Sequence, residues 1–196
     1  MKKILYIHGF NSSPHSAKAV ATQAYFQQHK PEFAFIAPQL INAPAQAMQQ
    51  LIAIIEHDAT ATWYLMGSSL GGYFATYLVE RYGCVAALIN PAVKPYQLLA
   101  GYLGWQTNSY TNESFYIDER FVAELINLEQ LTLFQEKNYF VMVQTGDEVL
   151  DYRQAVEKYA NATLVVQPGG DHGFVNYQAM LPNIATFFDT ITAQPA

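Results

Sequence analysis

Thr62-Trp63-Tyr64-Leu65-Met66-Gly67-Ser68-Ser69-Leu70-Gly71-Gly72 is the stretch whose reading decides the fold. Thr62–Met66 is a short, almost wholly apolar run without polar alternation, the pattern of a strand buried on both faces. From Leu70 the period changes, and Leu70, Tyr73, Phe74, Tyr77 and Leu78 share one helical face. Between the two lies a G-x-S-x-G with Ser69 at its centre. A serine on a sharp strand-to-helix turn has a strained backbone and an exposed Oγ, and only small neighbours permit the turn. Gly67 and Gly71 supply that room. The competing reading is a glycine-rich turn whose serines merely cap a helix. The strand–helix context favours the elbow, and Ser68 lies off its centre.

The same alternation runs outward in both directions. Strand-like runs recur at Lys3–Ile7, Phe33–Ala37, Val85–Asn90, Tyr139–Thr145 and Thr163–Val166. Helical faces lie between them: Ala17, Val20, Ala21, Ala24 and Tyr25; Met48, Leu51, Ile52 and Ile55; Tyr152, Ala155, Val156, Tyr159 and Ala160; and Ile184, Phe187, Phe188 and Ile191. Strands alternating with helices pair in parallel through right-handed crossovers. We therefore expect a doubly wound six-stranded parallel sheet in the order 2-1-3-4-5-6, with helices on both faces. The span 1–196 reads as one domain. One connection, at about 91–137, is far longer than a crossover needs. It carries a predicted helix near Asp118–Leu128, with Phe121, Val122, Leu125 and Leu128 on one face, and reads as a helical cap.

Three further segments carry chemistry. His8-Gly9-Phe10 directly follows the first strand, where a loop can offer a second N–H beside the nucleophile. The N–H groups of Phe10 and Leu70 are thus candidates for an oxyanion hole, while His8 is expected to shape the loop rather than titrate. His172, in Gly169-Gly170-Asp171-His172-Gly173-Phe174, follows the last strand in a glycine-flanked loop that lets a general base approach Oγ. The carboxylate belongs after the fifth strand, in Thr145-Gly146-Asp147-Glu148-Val149-Leu150-Asp151. Asp147 comes first there; Glu148, Asp151 and Asp171 are rivals, and Asp151 is equally placed to cap the next helix. The order Ser69, Asp147, His172 is the chain order of elbow-type triads.

Composition removes other classes. Ten Lys and Arg against sixteen Asp and Glu leave a net charge of −6, which argues against nucleic acid or an anionic membrane as partner. The apolar run after Met1-Lys2-Lys3 stops at His8, short of the roughly 7–15 apolar residues of a secretory core. No run approaches the ~20 residues of a membrane span, so a cytoplasmic location without membrane insertion is expected. Cys84 is the single cysteine, so no internal disulfide forms. No spacing suits a metal, and no G-x-G-x-x-G suits a dinucleotide. No cofactor is expected.

On His8-Gly9-Phe10-Asn11-Ser12-Ser13-Pro14, Gly67-Ser68-Ser69-Leu70-Gly71-Gly72-Tyr73, Asn90-Pro91-Ala92-Val93, Thr145–Arg153 and the glycine-flanked His172, the chain resembles the YqiA-like family of small bacterial esterases within the α/β-hydrolase fold. The resemblance implies a serine esterase acting on small-molecule carboxylic esters, acyl thioesters included. It carries over Ser69, Asp147 and His172 as the triad. Asp171 departs from it, since Asn or a neutral residue is expected before the histidine, which leaves open the acid that orients the imidazole. The insertion matches least beyond Asn90–Leu99. Its aromatics Tyr102, Trp105, Phe115 and Phe121 are expected to wall an acyl pocket. An acyltransferase on the same fold and a binding protein without turnover are the alternatives. The natural substrate, acyl length and oligomeric state stay open.

Overall fold

In the computed structural model, which describes residues 1–191, the central sheet is built from β1 (Lys2–Ile7), β2 (Phe33–Ile36), β3 (Thr62–Ser68), β4 (Val85–Ile89), β7 (Tyr139–Gln144) and β8 (Thr163–Gln167). Residues 192–196 of the expected 1–196 span lie outside the described residues. The strands run β2-β1-β3-β4-β7-β8, all pairs parallel. This is the order expected from the alternation of elements.

Strand periodicity divides the core in two. Leu5, Ile7, Leu65, Ala86, Leu88, Val141 and Val143 face one way, against α2 (Pro44–His57), α3 (Leu70–Tyr82) and the end of α6 (Tyr152–Lys158). Ile4, Tyr6, Tyr64, Met66, Ala87, Ile89, Phe140 and Met142 face the other way, against α1 (Ala17–His29) and α7 (Leu181–Thr190). Cys84 is buried in the first core, and burial pushes its thiol up to about 12.

Helix α1 turns a different face inward from the one predicted. Ala19, Thr22 and Phe26 are buried, and Val20 is half exposed. Phe26 docks on Phe33 and Phe188, while the Thr22 hydroxyl is satisfied by Lys18 O and the Tyr177 hydroxyl at 2.7 Å each. A buried threonine with both partners supplied costs little, and counting apolar residues alone misplaces the face.

The connection between β4 and β7 holds α4 (Pro95–Leu99), β5 (Gly104–Thr107), β6 (Ser114–Ile117) and α5 (Glu119–Ile126). Helix α5 starts where predicted, with Asp118 accepting from Phe121 N–H as its cap. The antiparallel β5–β6 hairpin was not expected; it forms in the least regular part of the segment. Several hydrogen bonds tie the insertion down, those of Glu113 with Asn42 Nδ2 and Glu124 with Ala45 N–H among them. The Tyr73 hydroxyl donates to Leu125 O at 2.7 Å, and Asn108 Nδ2 beside the hairpin turn donates to Ser12 O at 3.0 Å.

Strand β3 ends beside β1, where the chain order of the strands reverses direction across the sheet. Crevices at such switch points, beyond the carboxyl ends of the strands, are where open α/β sheets bind ligands. There α3 passes so close to β1 that a Cβ on Gly71 would fall 1.9 Å from Ile7 O and 2.7 Å from His8 O. Both neighbours are backbone and cannot swing away. Gly71→Ala is expected to lower stability by about 3 kcal/mol or more. Gly101→Ala, with nothing near the new methyl, stays within about 0.5 kcal/mol of the parent. Urea unfolding of the two variants checks both.

Candidate active site

Ser69 occupies the turn between β3 and α3 with φ 55° and ψ −121°. Such a backbone costs a non-glycine residue of order 1–3 kcal/mol. Its surroundings over-determine it: Ser69 N–H donates to Ile89 O, and Ser69 O accepts from the N–H groups of Gly72, Tyr73 and Ala92. The Ser69 side chain makes no capping bond to α3. It faces His172 instead, with Nε2 at 3.1 Å from Oγ.

On the other side of the ring, Nδ1 lies 3.0 and 2.9 Å from the two Asp147 carboxylate oxygens. The Asp147 side chain is 2% exposed and that of His172 is 23%. Burial works to raise the Asp147 pKa, but hydrogen bonds from His172 and from the Leu150 and Val149 N–H groups outweigh it. The carboxyl therefore lies below the ordinary aspartate value. A carboxylate in this position fixes Nδ1 as the protonated nitrogen and turns the Nε2 lone pair toward Oγ.

The rival acids lie elsewhere. Asp151 caps α6 and is paired with Arg153. Glu148 accepts from the His172 backbone N–H, and it and its own backbone N–H hold that carboxyl below its usual value. Asp171 is exposed, and its hydrogen bonds at the site are made by its backbone.

His8 is buried and neutral in its bonding. Its Nδ1 donates to Gly9 O at 2.9 Å, and Nε2 accepts from Leu40 N–H at 3.1 Å. Burial lowers its pKa, partly opposed by the Gly9 carbonyl. Beside it, the N–H groups of Phe10 and Leu70 find no acceptor among the described residues, and both residues border the cavity at Ser69.

Two residues that the sequence reading passed over hold the histidine loop. Buried Asn90, with φ 41°, donates from Nδ2 to the carbonyls of Asp171 and His172 and accepts Gln144 N–H at Oδ1. Buried Gln144 accepts the Asp171 and Val175 N–H groups at Oε1 and donates to Val175 O and Gln167 Oε1. Both amides sit at the ends of strands, β4 and β7. A polar side chain ending an otherwise apolar strand was the available signal.

The four insertion aromatics separate. Tyr102 borders a cavity of about 240 Å³ at Ser69, together with Leu98, Leu99 and Leu150. Phe115 packs edge-on against Phe10, 5.9 Å between ring centres. It does not line the cavity, and neither do the other two. Phe121 is buried beneath Phe115 in the core. Trp105 is 73% exposed and packs on exposed Tyr116, because alternate residues of the hairpin face opposite ways and Trp105 and Tyr116 are cross-strand partners on the outer face.

Among the described residues, no group of three or more His, Cys, Asp or Glu is placed to hold a metal ion, and no helix is long and apolar enough to cross a membrane.

A model of the uncharacterised protein family UPF0227 matches residues 3–189. Among solved structures, the chain is similar to alpha/beta hydrolase domain-containing protein 10 from mouse, with TM-score 0.74, 17% identity, and 97% of this chain and 90% of that one covered. It is also similar to Est1E from Butyrivibrio proteoclasticus, with TM-score 0.70, 17% identity and coverage of 96% and 87%. A third is the esterase domain of a Rhodothermus marinus protein, with TM-score 0.68, 14% identity and coverage of 95% and 85%. At these identities the likeness is one of fold, the α/β-hydrolase fold.

The His8 geometry has a measurable consequence. A folded-state pKa below the unfolded value of about 6.5 means that the unfolded chain takes up a proton first. The stabilisation is therefore complete above about pH 6.5 and is lost as pH falls below it. In His8→Asn, the slope of unfolding free energy between pH 7 and 5 is expected to flatten by up to about 1.4 kcal/mol per unit, as read from urea titrations of both proteins.

Proposed function

This chain belongs to the uncharacterised protein family UPF0227, and from the geometry of its site we propose that it is a serine hydrolase of carboxylic esters, acyl thioesters included. The observation that carries this reading is the continuous contact from Asp147 through His172 to Ser69 Oγ in a strained elbow, beside two N–H groups without acceptors. The resemblance in fold to structures described as hydrolase and esterase supports it.

In the proposed reaction, His172 Nε2 takes the proton of Ser69 as Oγ bonds to the acyl carbon. The carbonyl electron pair moves onto oxygen, where the Phe10 and Leu70 N–H groups receive it. Collapse of this adduct breaks the bond to the alcohol or thiol, which leaves with the proton from His172. Water then attacks the acyl-enzyme, His172 taking its proton and returning it to Ser69, and a carboxylic acid is released. Asp147 holds the tautomer throughout and stays ionised.

An organophosphonate is expected to label the protein once, at Ser69. Ser69→Ala abolishes labelling and lowers turnover by roughly 10⁶, and Asp147→Asn by about 10⁴, whereas Asp151→Asn and Asp171→Asn cost much less. Labelling that survives Ser69→Ala, or Asp171→Asn as the most damaging of the three, overturns the assignment. Label retained without hydrolysis of any ester, but with acyl groups passed to an added alcohol, identifies an acyltransferase instead.

The Tyr102 cavity is the proposed acyl site. Its wall is largely apolar, and each methylene buried contributes about 0.8 kcal/mol, close to fourfold in kcat/KM. Across p-nitrophenyl esters of rising acyl length, Tyr102→Ala or Leu98→Ala should move the optimum, and Trp105→Ala should not. An unchanged profile in all three removes the cavity from the reading.

A further inference from the structure

Ser69 and His172 border a second cavity, of about 270 Å³, which Tyr102 does not line. Its lining carries more polar groups than that of the first. Its wall includes the Tyr6, Ser12, Ser16 and Tyr110 side chains and Lys18. Lys18 is half-buried, and its ammonium gives one hydrogen bond, to Gly173 O at 3.0 Å, out of the three it carries.

Helix α1 starts at this wall. Its cap residue Ser16 makes no side-chain capping bond, and its first turn holds no acidic residue. The first N–H groups of such a helix have no partner within it, and they sit at the positive end of the helix dipole. A second and independent feature points the same way. The Tyr6 hydroxyl comes from β1, on a side chain only 1% exposed. Ser16 is its polar neighbour, yet no hydrogen bond of normal geometry reaches that oxygen from any described residue. A buried hydroxyl without a partner costs about 1–3 kcal/mol, and the cavity it borders is where a partner can stand. Burial, and then Tyr177, pushes its pKa well above the ordinary tyrosine value, so it remains a donor.

We propose that this second cavity is an oxyanion-binding subsite for the leaving group, so that the preferred substrates are esters whose alcohol or thiol portion bears a carboxylate or phosphate. The inference rests on Ser69 being the nucleophile. A largely apolar wall suits the acyl chain, and the second cavity gathers an ammonium, a helix start and hydroxyl groups. Two carboxylates act on Lys18, those of Asp171 and Asp147. The Asp147 carboxylate is already taken up by His172, Val149 and Leu150, and Asp171 is exposed, so neither fills the cavity.

The test compares three butanoyl esters of matched leaving groups: 3-hydroxybenzamide, 3-hydroxybenzoate and 3-hydroxyphenyl phosphate. We expect kcat/KM about tenfold or more higher for an anionic ester than for the amide, a charge-assisted hydrogen bond being worth at least that much. The ratio should fall with added salt, approach one in Lys18→Gln and recover in Lys18→Arg. Tyr6→Phe should lower it in part. A preference for the benzoate alone or for the phosphate alone distinguishes the two sources of the anion. A ratio of one or below in the unmutated protein, or a preference that survives Lys18→Gln, overturns the proposal.

A turnover-free arm separates this subsite from the hydrolase reading. In Ser69→Ala, 3-hydroxybenzoate should bind more tightly than 3-hydroxybenzamide by calorimetry, and the difference should vanish on adding Lys18→Gln. Selective binding without hydrolysis of any ester by the unmutated protein leaves the subsite standing and removes the nucleophile. Hydrolysis with equal binding of the two probes removes the subsite and leaves the nucleophile.

Discussion

Everything at the site depends on the approach of α3 to the end of β1, where Gly71 lies against Ile7 O and His8 O with no room for a side chain. Register follows from it: Ile7 pairs with Gly67 across β1 and β3, so the loop that begins at His8 runs alongside the turn that holds Ser69. Phe10 N–H and Leu70 N–H, from two different elements, therefore border one cavity. The strained φ of Ser69 is tolerable because four backbone hydrogen bonds and the close packing of α3 on β1 fix the turn from both sides. A looser crossing would let the turn relax, and Oγ would swing into the capping role that serines ordinarily take at a helix start.

The second constraint is on the histidine. His172 lies on a loop in which Gly169, Gly170, Phe174 and Asn176 all have positive φ, so its shape is not set by local preference. It is set by Asn90 and Gln144, whose side chains satisfy backbone groups of Asp171, His172 and Val175. The two residues are also linked directly, Asn90 Oδ1 accepting Gln144 N–H. A buried network with its members paired is rigid, and losing one member leaves several others unpaired. The cost of holding the loop thus falls on the sheet, the stiffest part of the molecule, and not on the loop itself.

These facts explain which parts were legible in the sequence. The sheet order was, because six apolar runs separated by helical periods admit few right-handed parallel arrangements. Ser69, Asp147 and His172 stood out as candidates because each lies in the glycine-marked turn or loop that follows a strand. The clamp was not legible, because an Asn or Gln gives no hint of which distant carbonyls it reaches, and Gln144 to Val175 is a tertiary relation. The buried face of α1 was hidden for a related reason: Thr22 counts as polar until Tyr177 is brought beside it. Trp105 illustrates the limit of composition. An aromatic in an insertion looks like a pocket wall, but its direction depends on the parity of a hairpin that the helical reading of the segment omitted.

The two cavities at Ser69 belong to different parts of the chain. The apolar one is closed by Pro95, Leu98, Leu99 and Tyr102, from the segment inserted between β4 and β7. The more polar one is made by the β1 loop, the start of α1 and the histidine loop, all of which pack on the sheet. Only Tyr110, beside the Asn108 turn that leans on Ser12, reaches it from the insertion. Changes within the insertion can therefore reshape the apolar side while leaving the sheet cores intact. Changes on the polar side act on Tyr6 and α1, which belong to the core itself. In the proposed enzyme, this makes the acyl side the easier one to vary. The leaving-group side is held by the same packing that holds the nucleophile.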